Sequence, residues 1–320
     1  MTNLKALEAY LEVATLGSVT AAAKRLNMSQ PSVSRLIQEL ERDLQLSLFE
    51  RVGQRLVLTT QGLLLRDDVD RALSGIAEVQ ERARSLSDVE LQPLRLSSVS
   101  SIATGLLPNA WNSLELAERG QLISVTENPD QVRNAVKSGS VDLGASSLPL
   151  EHRDLTMQWF GSAPCVLAVR DDDSLVKEVG PIDLAALRGR TMIAMSNNRG
   201  LPSRIRRALR ENGLDEPSVL TNSTMNALNF VRAGSGISII EPVTLAGAAM
   251  PGIRTLPISA SILYCFGVVT PSAAQPAERI DALVDALRVE AESRLSDFIT
   301  YEPEMHQELL VKLSLLEDRS

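Results

Sequence analysis

The chain has 320 residues, of which 44% are hydrophobic and 22% charged, and its formal net charge is −8. This length exceeds one typical domain core, so we expect two or three globular units, and the composition excludes an intrinsically disordered chain. The acidic balance excludes DNA binding over the whole surface, because such binding needs basic groups that neutralise phosphates. The segment up to Gly62 is nearly neutral, however, with seven Lys or Arg and six Asp or Glu residues.

Two features of the sequence bear on its compartment. The two cysteines, Cys165 and Cys265, each lie in an apolar run, which is typical of buried thiols in a reducing compartment and not of a disulfide framework. The N-terminus lacks a charged start followed by an apolar stretch, and no run of about 18 apolar residues occurs. We therefore predict a cytoplasmic protein that has no membrane partner.

Residues 1–59 are predicted to form a winged helix-turn-helix DNA-binding domain. A first amphipathic helix ends at a Gly17–Ser18 break, and a second helix begins at Val19. A third helix is predicted after Ser29, whose hydroxyl suits the N-cap, and Pro31 fits its first turn. Three short helices in this order are typical of a helix-turn-helix head.

The third helix combines an apolar stripe with an unusual exposed face. Its other face carries hydroxyl groups, amide groups and one arginine, in place of the Glu and Lys mixture of a merely solvated helix. Arginine bonds guanine bidentately, glutamine bonds adenine in the same way, and serine bonds bases or phosphates. This composition predicts a recognition helix. Its predicted DNA-contacting residues are Ser29, Gln30, Pro31, Ser32, Ser34, Arg35 and Gln38.

A short β-hairpin is predicted after this helix. Residues 49–58 alternate in hydrophobicity around a turn that contains Gly53, which is typical of a β-wing. Arg51 and Arg55 flank the turn and could contact phosphates or a minor groove. Ordinary solvated arginines are the alternative interpretation. We include both residues in the predicted DNA interface.

Residues 60–89 are predicted to form one long dimerisation helix. Its apolar residues alternate in spacings of four and three, which is the a/d pattern of a coiled coil, and its flanks are charged. This seam favours pairing with the same helix of a second chain, although packing against its own domain would also bury it. The predicted dimerisation residues are Leu65, Val69, Ala72, Ile76, Val79, Ala83 and Leu86.

Residues 92–300 are predicted to form an α/β module that binds a small-molecule effector. Short β-rich runs alternate with helical runs through this range, which is the pattern of an open α/β sheet. Residues 301–320 are predicted to form a C-terminal tail with an extra helix at Met305–Glu317, whose role the sequence does not indicate. The fold class is therefore α plus α/β.

Polar side chains recur where the predicted strands of this module end. Ligands of open α/β sheets bind at the carboxyl ends of the strands, beside helix N-termini that attract anions. Helix capping explains each polar residue individually, but their recurrence predicts one cleft, in which Arg199 could pair with a carboxylate. The predicted effector-binding residues are Ser98, Ser100, Ser101, Thr126, Asn128, Ser146, Ser196, Asn197, Asn198, Arg199 and Thr224.

Several short runs of the head match one known pattern: Ala21–Ala23, Ser29–Ile37, Leu40–Glu41, Leu48–Arg51 and Leu58–Gly62. With these runs the head resembles the DNA-binding domain of the LysR family of bacterial transcriptional regulators, and the resemblance covers nearly the whole head. One departure is Gln45, where the family usually has a glycine that ends the recognition-helix region.

The resemblance implies the domain plan and the partners. The family's effector module is similar to periplasmic binding proteins, with two subdomains joined by two crossing strands, here near Ala163–Val169 and Phe266–Thr270. Subdomain one then spans about 92–162 and 267–300, and subdomain two about 163–266. The family dimerises through the linker helix, which places two heads on the half-sites of an inverted-repeat DNA operator. Two dimers join through their effector modules into a homotetramer, and RNA polymerase is a candidate partner.

The identity of the effector is suggested by a narrower resemblance. Leu94–Pro108 and Glu241–Pro242 resemble the branch of the family that responds to amino-acid derivatives such as opines. This implies an effector that is a carboxylate or an amino-acid derivative, and no bound cofactor.

Three other classes of protein compete with a regulator. An enzyme is disfavoured because His152 and His306 are the only histidines and no GxSxG, HExxH or Walker sequence occurs, so we predict no catalytic residue and no metal site. A solute-binding protein would need a secretion signal and would not carry the head. A DNA binder without a ligand would leave the large module unexplained. We predict a sequence-specific transcription factor that a small-molecule effector switches.

Overall fold

The computed structural model describes residues 3–52, 55–85, 93–115, 119–150, 154–197, 200–247, 249–272, 277–306 and 308. The chain divides into two compact units, Met1–Glu90 and Leu91–Ser320. Among the described residues, no helix is both long and apolar enough to cross a membrane.

The first unit contains three short helices, a hairpin and one long helix. Their order follows the prediction. Side-chain caps begin the helices, and residues in the left-handed conformation end them. At the start of α3, Ser29 accepts a 3.3 Å hydrogen bond from the Ser32 amide, and at its end Gln45 takes φ 55° in the position where a glycine is expected. The elements are α1 (Leu4–Leu16), α2 (Val19–Arg25), α3 (Gln30–Leu44), β1 (Phe49–Val52), β2 (Arg55–Leu58) and α4 (Thr60–Ser85).

The core of this unit fixes α3 and the hairpin together. The α3 residues Val33, Ile37 and Leu40 are buried between α1, α2 and α4. The Glu41 carboxylate accepts hydrogen bonds from the backbone amides of Leu48 and Phe49 at 2.7 and 3.2 Å. The hairpin β1–β2 therefore leaves α3 in a defined direction.

The second unit contains two lobes, each defined by its strands. Among the described residues, lobe one is a six-stranded sheet in the order β13-β6-β12-β5-β3-β4 with four helices. Its strands are β3 (Leu94–Ser98), β4 (Leu122–Thr126), β5 (Leu143–Ser147), β6 (Leu155–Pro164), β12 (Leu263–Pro271) and β13 (Ile299–Tyr301). Its helices are α5 (Ser100–Gly105), α6 (Leu107–Ser113), α7 (Pro129–Ser138) and α10 (Glu278–Arg294).

Lobe two is smaller and contains a three-stranded sheet and a parallel strand pair. The sheet has the order β10-β7-β11, and a parallel bridge between Met192 and Ile237 links it to the pair β8–β9. The strands are β7 (Val166–Arg170), β8 (Ile193–Met195), β9 (Val219–Thr221), β10 (Ser238–Ile240) and β11 (Ile253–Pro257). The helices are α8 (Leu201–Glu211) and α9 (Thr224–Arg232).

The chain crosses between the lobes twice, and the second crossing differs from its predicted position. The first lies between β6 and β7, inside the predicted segment Ala163–Val169. The return lies between Pro257 and Leu263 and not at Phe266–Thr270, because β12 pairs with β6 along its whole length, from Leu263 to Pro271. The residues on both sides of this crossing are apolar, so their pattern does not show where one sheet ends and the other begins.

The helices and strands of this unit also differ from the sequence pattern. The pattern predicts a helix that begins near Thr104, directly after the first strand, whereas in the structure it begins at Ser100 and is divided at Leu106 into α5 and α6. The sequence pattern does not predict the helix α10 or the strands β6, β9, β11 and β13. The predicted helix Met305–Glu317 lies almost entirely outside the described residues; of it, Met305 closes a 3₁₀ turn and His306 is buried against Phe160, with ring centroids 5.5 Å apart.

Candidate DNA-binding surface and effector cleft

The predicted recognition residues form the solvent face of α3. Ser29, Gln30, Pro31, Arg35 and Gln38 are exposed, while two further members of the set are half-buried. The half-buried members are Ser32 and Ser34. The apolar stripe is buried on the opposite side of the helix, so the sequence pattern separated the two faces correctly.

Local hydrogen bonds orient part of this face. The hydroxyls of Ser29 and Ser32 lie 2.7 Å apart at the N-terminus of α3, the end of a helix that attracts phosphate. Arg35 projects from the next turn with its side chain 81% exposed. The side chains of Arg51 and Arg55 in the wing lie outside the described residues.

One part of the predicted dimerisation seam is buried in its own unit, and another part is exposed. Val69 is only 4% exposed and packs with Tyr10 and Leu40 in the core of its own unit, and Leu65 packs against the same cluster. Val69 therefore does not fit the prediction that it faces a partner, because the head already covers it. The exposed part of the seam is Ala72, Ile76 and Val79. The side chain of Ala83 and all of Leu86 lie outside the described residues.

In lobe one, strand direction brings the predicted effector residues to one edge. The strands β3, β4 and β5 are mutually parallel, so their carboxyl ends meet there. β12 runs antiparallel to β5, and its first residues lie at the same edge, directly after the chain returns from lobe two.

In lobe two, a second polar edge faces the crossings. The pair β8–β9 is parallel, and the bridge Met192–Ile237 is parallel too, so the carboxyl ends of β8, β9 and β10 share one edge. Ile240 at the end of β10 lies opposite Val166, the first residue after the crossing. We call the space between the two strand-end edges the cleft.

On the lobe-one side of the cleft, the predicted residues differ in their hydrogen bonding. Ser98 is 0% exposed, and its Oγ has no hydrogen-bond partner among the described residues. Ser101 is bonded to the Tyr264 hydroxyl at 2.9 Å, and the Ser146 hydroxyl donates to the Ser147 carbonyl at 3.2 Å. A ligand could therefore supply the missing hydrogen bond of the buried Ser98 hydroxyl. Ser100, two residues further along the chain, is half-buried.

Two other predicted effector residues of lobe one, Asn128 and Thr126, lie in different surroundings. Asn128 caps α7 in a capping box with Gln131, at hydrogen-bond distances of 3.0 and 3.2 Å. Thr126 at the end of β4 is exposed. Capping therefore accounts for Asn128 without a ligand.

On the lobe-two side, Thr224 and Glu241 form one buried group. Ser196 and Asn197 are exposed at the end of β8, and the predicted Asn198 and Arg199 lie outside the described residues. Thr224 is 8% exposed and bonds the Glu241 carboxyl.

Glu241, absent from the predicted site residues, is the most deeply buried acid of the cleft. Its side chain accepts hydrogen bonds from the Thr244 amide at 2.9 Å and from the Thr244 hydroxyl. Burial raises the pKa of Glu241 despite these bonds. The sequence shows only an acid after a strand, so its burial could not be inferred.

Both lobes meet closely beside this group. Gly105 at the end of α5 lies so near the 3₁₀ turn Val243–Leu245 that a Cβ on Gly105 would lie 1.7 Å from the Val243 carbonyl oxygen. A Cβ on Gly247 would lie 2.8 Å from the Gly105 carbonyl oxygen. Only glycine permits this contact between lobe one and lobe two.

Arg204, which the sequence analysis did not select, also lies in the cleft. It belongs to the first turn of α8 and is half-buried, and its guanidinium hydrogen-bonds to Cys265 of β12. Burial raises the pKa of the Cys265 thiol and that of Cys165 at the crossing. The sequence did contain a sign that Arg204 is not fully exposed. Arg204 is next to Ile205, which lies on the buried apolar side of α8.

Comparison with protein families assigns both units. The model described as the bacterial regulatory helix-turn-helix protein, lysR family, matches residues 4–63. The model described as the LysR substrate binding domain matches residues 87–292. The predicted combination of a helix-turn-helix head and an effector module is therefore confirmed.

Individual relatives are transcriptional regulators and not enzymes. The octopine catabolism/uptake operon regulatory protein OccR of Rhizobium meliloti is 29% identical over 247 residues, which is 75% of this chain and 80% of that protein. The regulatory protein NocR of Agrobacterium tumefaciens (strain T37) is 26% identical over 300 residues, 90% of this chain and 98% of the relative. The transcriptional activator protein LysR of Escherichia coli (strain K12) is 26% identical and covers 84% of this chain and 87% of its own length.

Solved structures share the fold. Full-length CbnR in complex with its target DNA superposes with a TM-score of 0.67 at 21% identity, covering 90% of this chain and 100% of the CbnR chain. CbnR alone gives a TM-score of 0.67 at 22% identity, with 90% and 99% coverage. The chain belongs to the LysR family of bacterial transcriptional regulators, with a helix-turn-helix DNA-binding domain and an effector-binding domain.

Proposed function

We propose that a carboxylate or amino-acid derivative binds in the cleft and switches the chain between two forms that bind DNA differently. The observation that carries this proposal is the convergence of both strand-end edges on one cleft that contains the buried, unpartnered Ser98 hydroxyl. We place the effector contacts at the cleft residues of both lobes, excluding Asn128, whose side chain is used as a helix cap.

The DNA contacts are assigned to the exposed face of α3. Arg35 and Gln38 have the chemistry to bond base edges, while Ser29, Gln30 and Ser32 lie at the helix N-terminus and suit phosphate contacts. Pro31 and Ser34 border this face, and Arg51 and Arg55 of the wing are assigned to the backbone or the minor groove.

The working unit is proposed to be a homodimer on an inverted-repeat operator, with two dimers forming a homotetramer. Ile76 and Val79 support the dimer, because large apolar side chains that are 39% and 69% exposed on a charged helix favour a partner helix. Two heads joined in this way would contact two half-sites. We place the protein in the cytoplasm, with RNA polymerase as a candidate partner on the DNA.

The relatives support an effector of this class. OccR is named as the regulator of an octopine catabolism and uptake operon, and octopine is an amino-acid derivative that carries carboxylates. A ligand can shift the equilibrium between two forms only by binding one of them better. A ligand that contacts both lobes would meet this condition, because its contacts depend on how the lobes are arranged.

Thermal denaturation of the full chain tests the proposal. We expect octopine or another member of a panel of carboxylates and amino-acid derivatives to raise the melting temperature, and to change the affinity for an operator found by genome-wide footprinting. A shift of about 2.7 kcal/mol in unfolding free energy is expected at a ligand concentration 100 times Kd. A chain that is indifferent to every member of the panel would contradict the sensor function.

A further inference from the structure

Arg204 is half-buried, and one of its guanidinium donors is buried without a hydrogen-bond partner among the described residues. This donor is the Nη2 atom. The same part of the chain offers Arg204 no carboxylate at ion-pair distance. A guanidinium carries one positive charge and five N–H donors, and it has no acceptor.

The groups around Arg204 do not neutralise it. Its bonded neighbour is the Cys265 thiol, and the Cys165 thiol also feels its charge. Burial raises the pKa of both thiols, so both are neutral. Glu241 is in the same region, but within the described part of the chain it forms no ion pair with Arg204, and its carboxyl accepts hydrogen bonds from Thr244 and Thr224.

A half-buried charge of this kind is costly unless something pairs with it. An unsatisfied buried donor loses its hydration, and the loss is larger for a charged group than for a neutral one. Such a group is more typical of a ligand-binding site than of a structural core. We propose that Arg204 anchors a carboxylate of the effector, an inference that rests on the proposed function of the cleft.

The surroundings favour a carboxylate over a phosphate. A guanidinium bonds a planar carboxylate through parallel N–H groups, and one cation matches one carboxylate charge. At the lobe-one edge of the cleft, Ser98 and Ser100 carry neutral hydroxyls, and the acid Glu127, whose amide donates to the Ser98 carbonyl at 2.9 Å, follows β4. These hydroxyls can bond a polar part of the same ligand, but they do not supply the further positive charge that a phosphate dianion needs.

Arg204 also has a position from which binding can act on both lobes. Its helix α8 belongs to lobe two, whereas its partner Cys265 lies in β12 of lobe one. A carboxylate on Nη2 therefore binds at the seam between the lobes. Ligand binding then favours the arrangement in which Arg204 and β12 are together.

The test compares Arg204→Gln with Arg210→Gln in the full chain. Arg210 lies on the same helix but is exposed, so it controls for the loss of one positive charge from α8. The probes are succinate, L-glutamate and L-arginine, each measured beside its amide (succinamide, L-isoglutamine and L-argininamide), and inorganic phosphate, all at constant ionic strength. Binding is measured by calorimetry and by the shift in melting temperature.

We expect at least one carboxylate to bind the wild type, and to bind it more tightly than the matching amide. Arg204→Gln should raise the Kd of that carboxylate roughly 10- to 100-fold, the loss of one charge-assisted hydrogen bond. Arg210→Gln should leave the Kd unchanged. Arg204→Gln should also melt no lower than the wild type without ligand, because it removes an uncompensated charge.

Each other outcome overturns part of the inference. A carboxylate that binds Arg204→Gln and the wild type equally would refute the anchor and leave the sensor function standing. Binding of phosphate alone, lost in Arg204→Gln, would refute the carboxylate. Failure of every probe to bind the wild type would contradict the proposed function and the anchor with it. If Arg204→Gln does not fold, Arg204→Lys replaces it, and an unchanged Kd in that variant refutes bidentate binding because lysine lacks the planar fork.

Discussion

In α3, the Nε of Arg35 donates a 2.9 Å hydrogen bond to the carboxylate of Glu39, one turn further along the helix. The Arg35 side chain is 81% exposed, and exposed pairs at this spacing contribute only about 0.3–0.5 kcal/mol. A guanine edge can therefore replace Glu39 at little cost. The pair orients Arg35 along the exposed face of the helix before DNA is bound.

Substitution of Arg35 should weaken recognition and leave the fold intact. We expect Arg35→Ala to reduce specific operator binding by about 1–3 kcal/mol, the contribution of one bidentate base contact. Fluorescence anisotropy with specific and scrambled duplexes measures the effect. Arg42→Ala, an exposed arginine at the far end of α3, is the control for lost charge. Equal operator affinity of Arg35→Ala and the wild type would refute the recognition-helix assignment.

Charge placed on the exposed part of the α4 seam should separate the proposed dimer. Ile76→Glu and Val79→Glu would bury an unpaired carboxylate against a partner helix, which costs several kcal/mol. We expect the dimer dissociation constant to rise roughly 100-fold, as measured by sedimentation. Ser74→Glu, at an exposed position off the seam, should leave it unchanged. A dimer of normal strength in both seam variants would show that another surface joins the chains.

The head could be predicted from sequence because its signals are local. Ser29 caps the helix that starts beside it, and Gln45 ends the same helix in the left-handed region that the family pattern predicts for a glycine. The same reasoning failed for Val69. The heptad spacing indicates an apolar stripe but not what covers it, and α1 and α3 cover this residue within the same unit.

The cleft could be predicted only in outline. Strand ends identify Ser98 and Thr224 as neighbours of a site, because the sheet topology places each of them at the strand-end edge of its own lobe. Whether a hydroxyl is free depends on side chains distant in sequence: Thr224 is bonded to Glu241, whereas Ser98 is unpartnered within the described residues. The same holds for Arg204, whose contact with Cys265 joins two elements about sixty residues apart in the chain.

Glu241 should make the stability of the protein fall as pH rises above the usual carboxyl range. Burial raises its folded-state pKa above the unfolded value, so between the two values the folded chain holds a proton that the unfolded chain has lost. The contribution of Glu241 to the free energy of unfolding is then fully present below the unfolded pKa, and it is lost as pH rises through the folded pKa. Tyr264 and Cys165 nearby stay neutral across this window, because burial raises the pKa of each.

Glu241→Gln should remove this dependence. We expect the melting temperature of the wild type to fall more steeply from pH 5 to pH 8 than that of Glu241→Gln, since the amide does not ionise. Glu216→Gln, an exposed acid in the same lobe, should keep the wild-type slope. Parallel slopes for Glu241→Gln and the wild type would mean that Glu241 has the same pKa folded and unfolded.

A side chain at Gly105 should disrupt the contact between the lobes. The Cβ of Gly105→Ala would lie 1.7 Å from the Val243 carbonyl oxygen, so α5 or the 3₁₀ turn must move. Overpacking of this kind costs about 1–3 kcal/mol, and more where backbone atoms collide. Urea unfolding of the full chain measures the loss, with Thr104→Ala, an exposed neighbour on the same helix, as the control. A wild-type midpoint for Gly105→Ala would show that α5 can withdraw from the turn at no cost, and that this contact does not hold the lobes together.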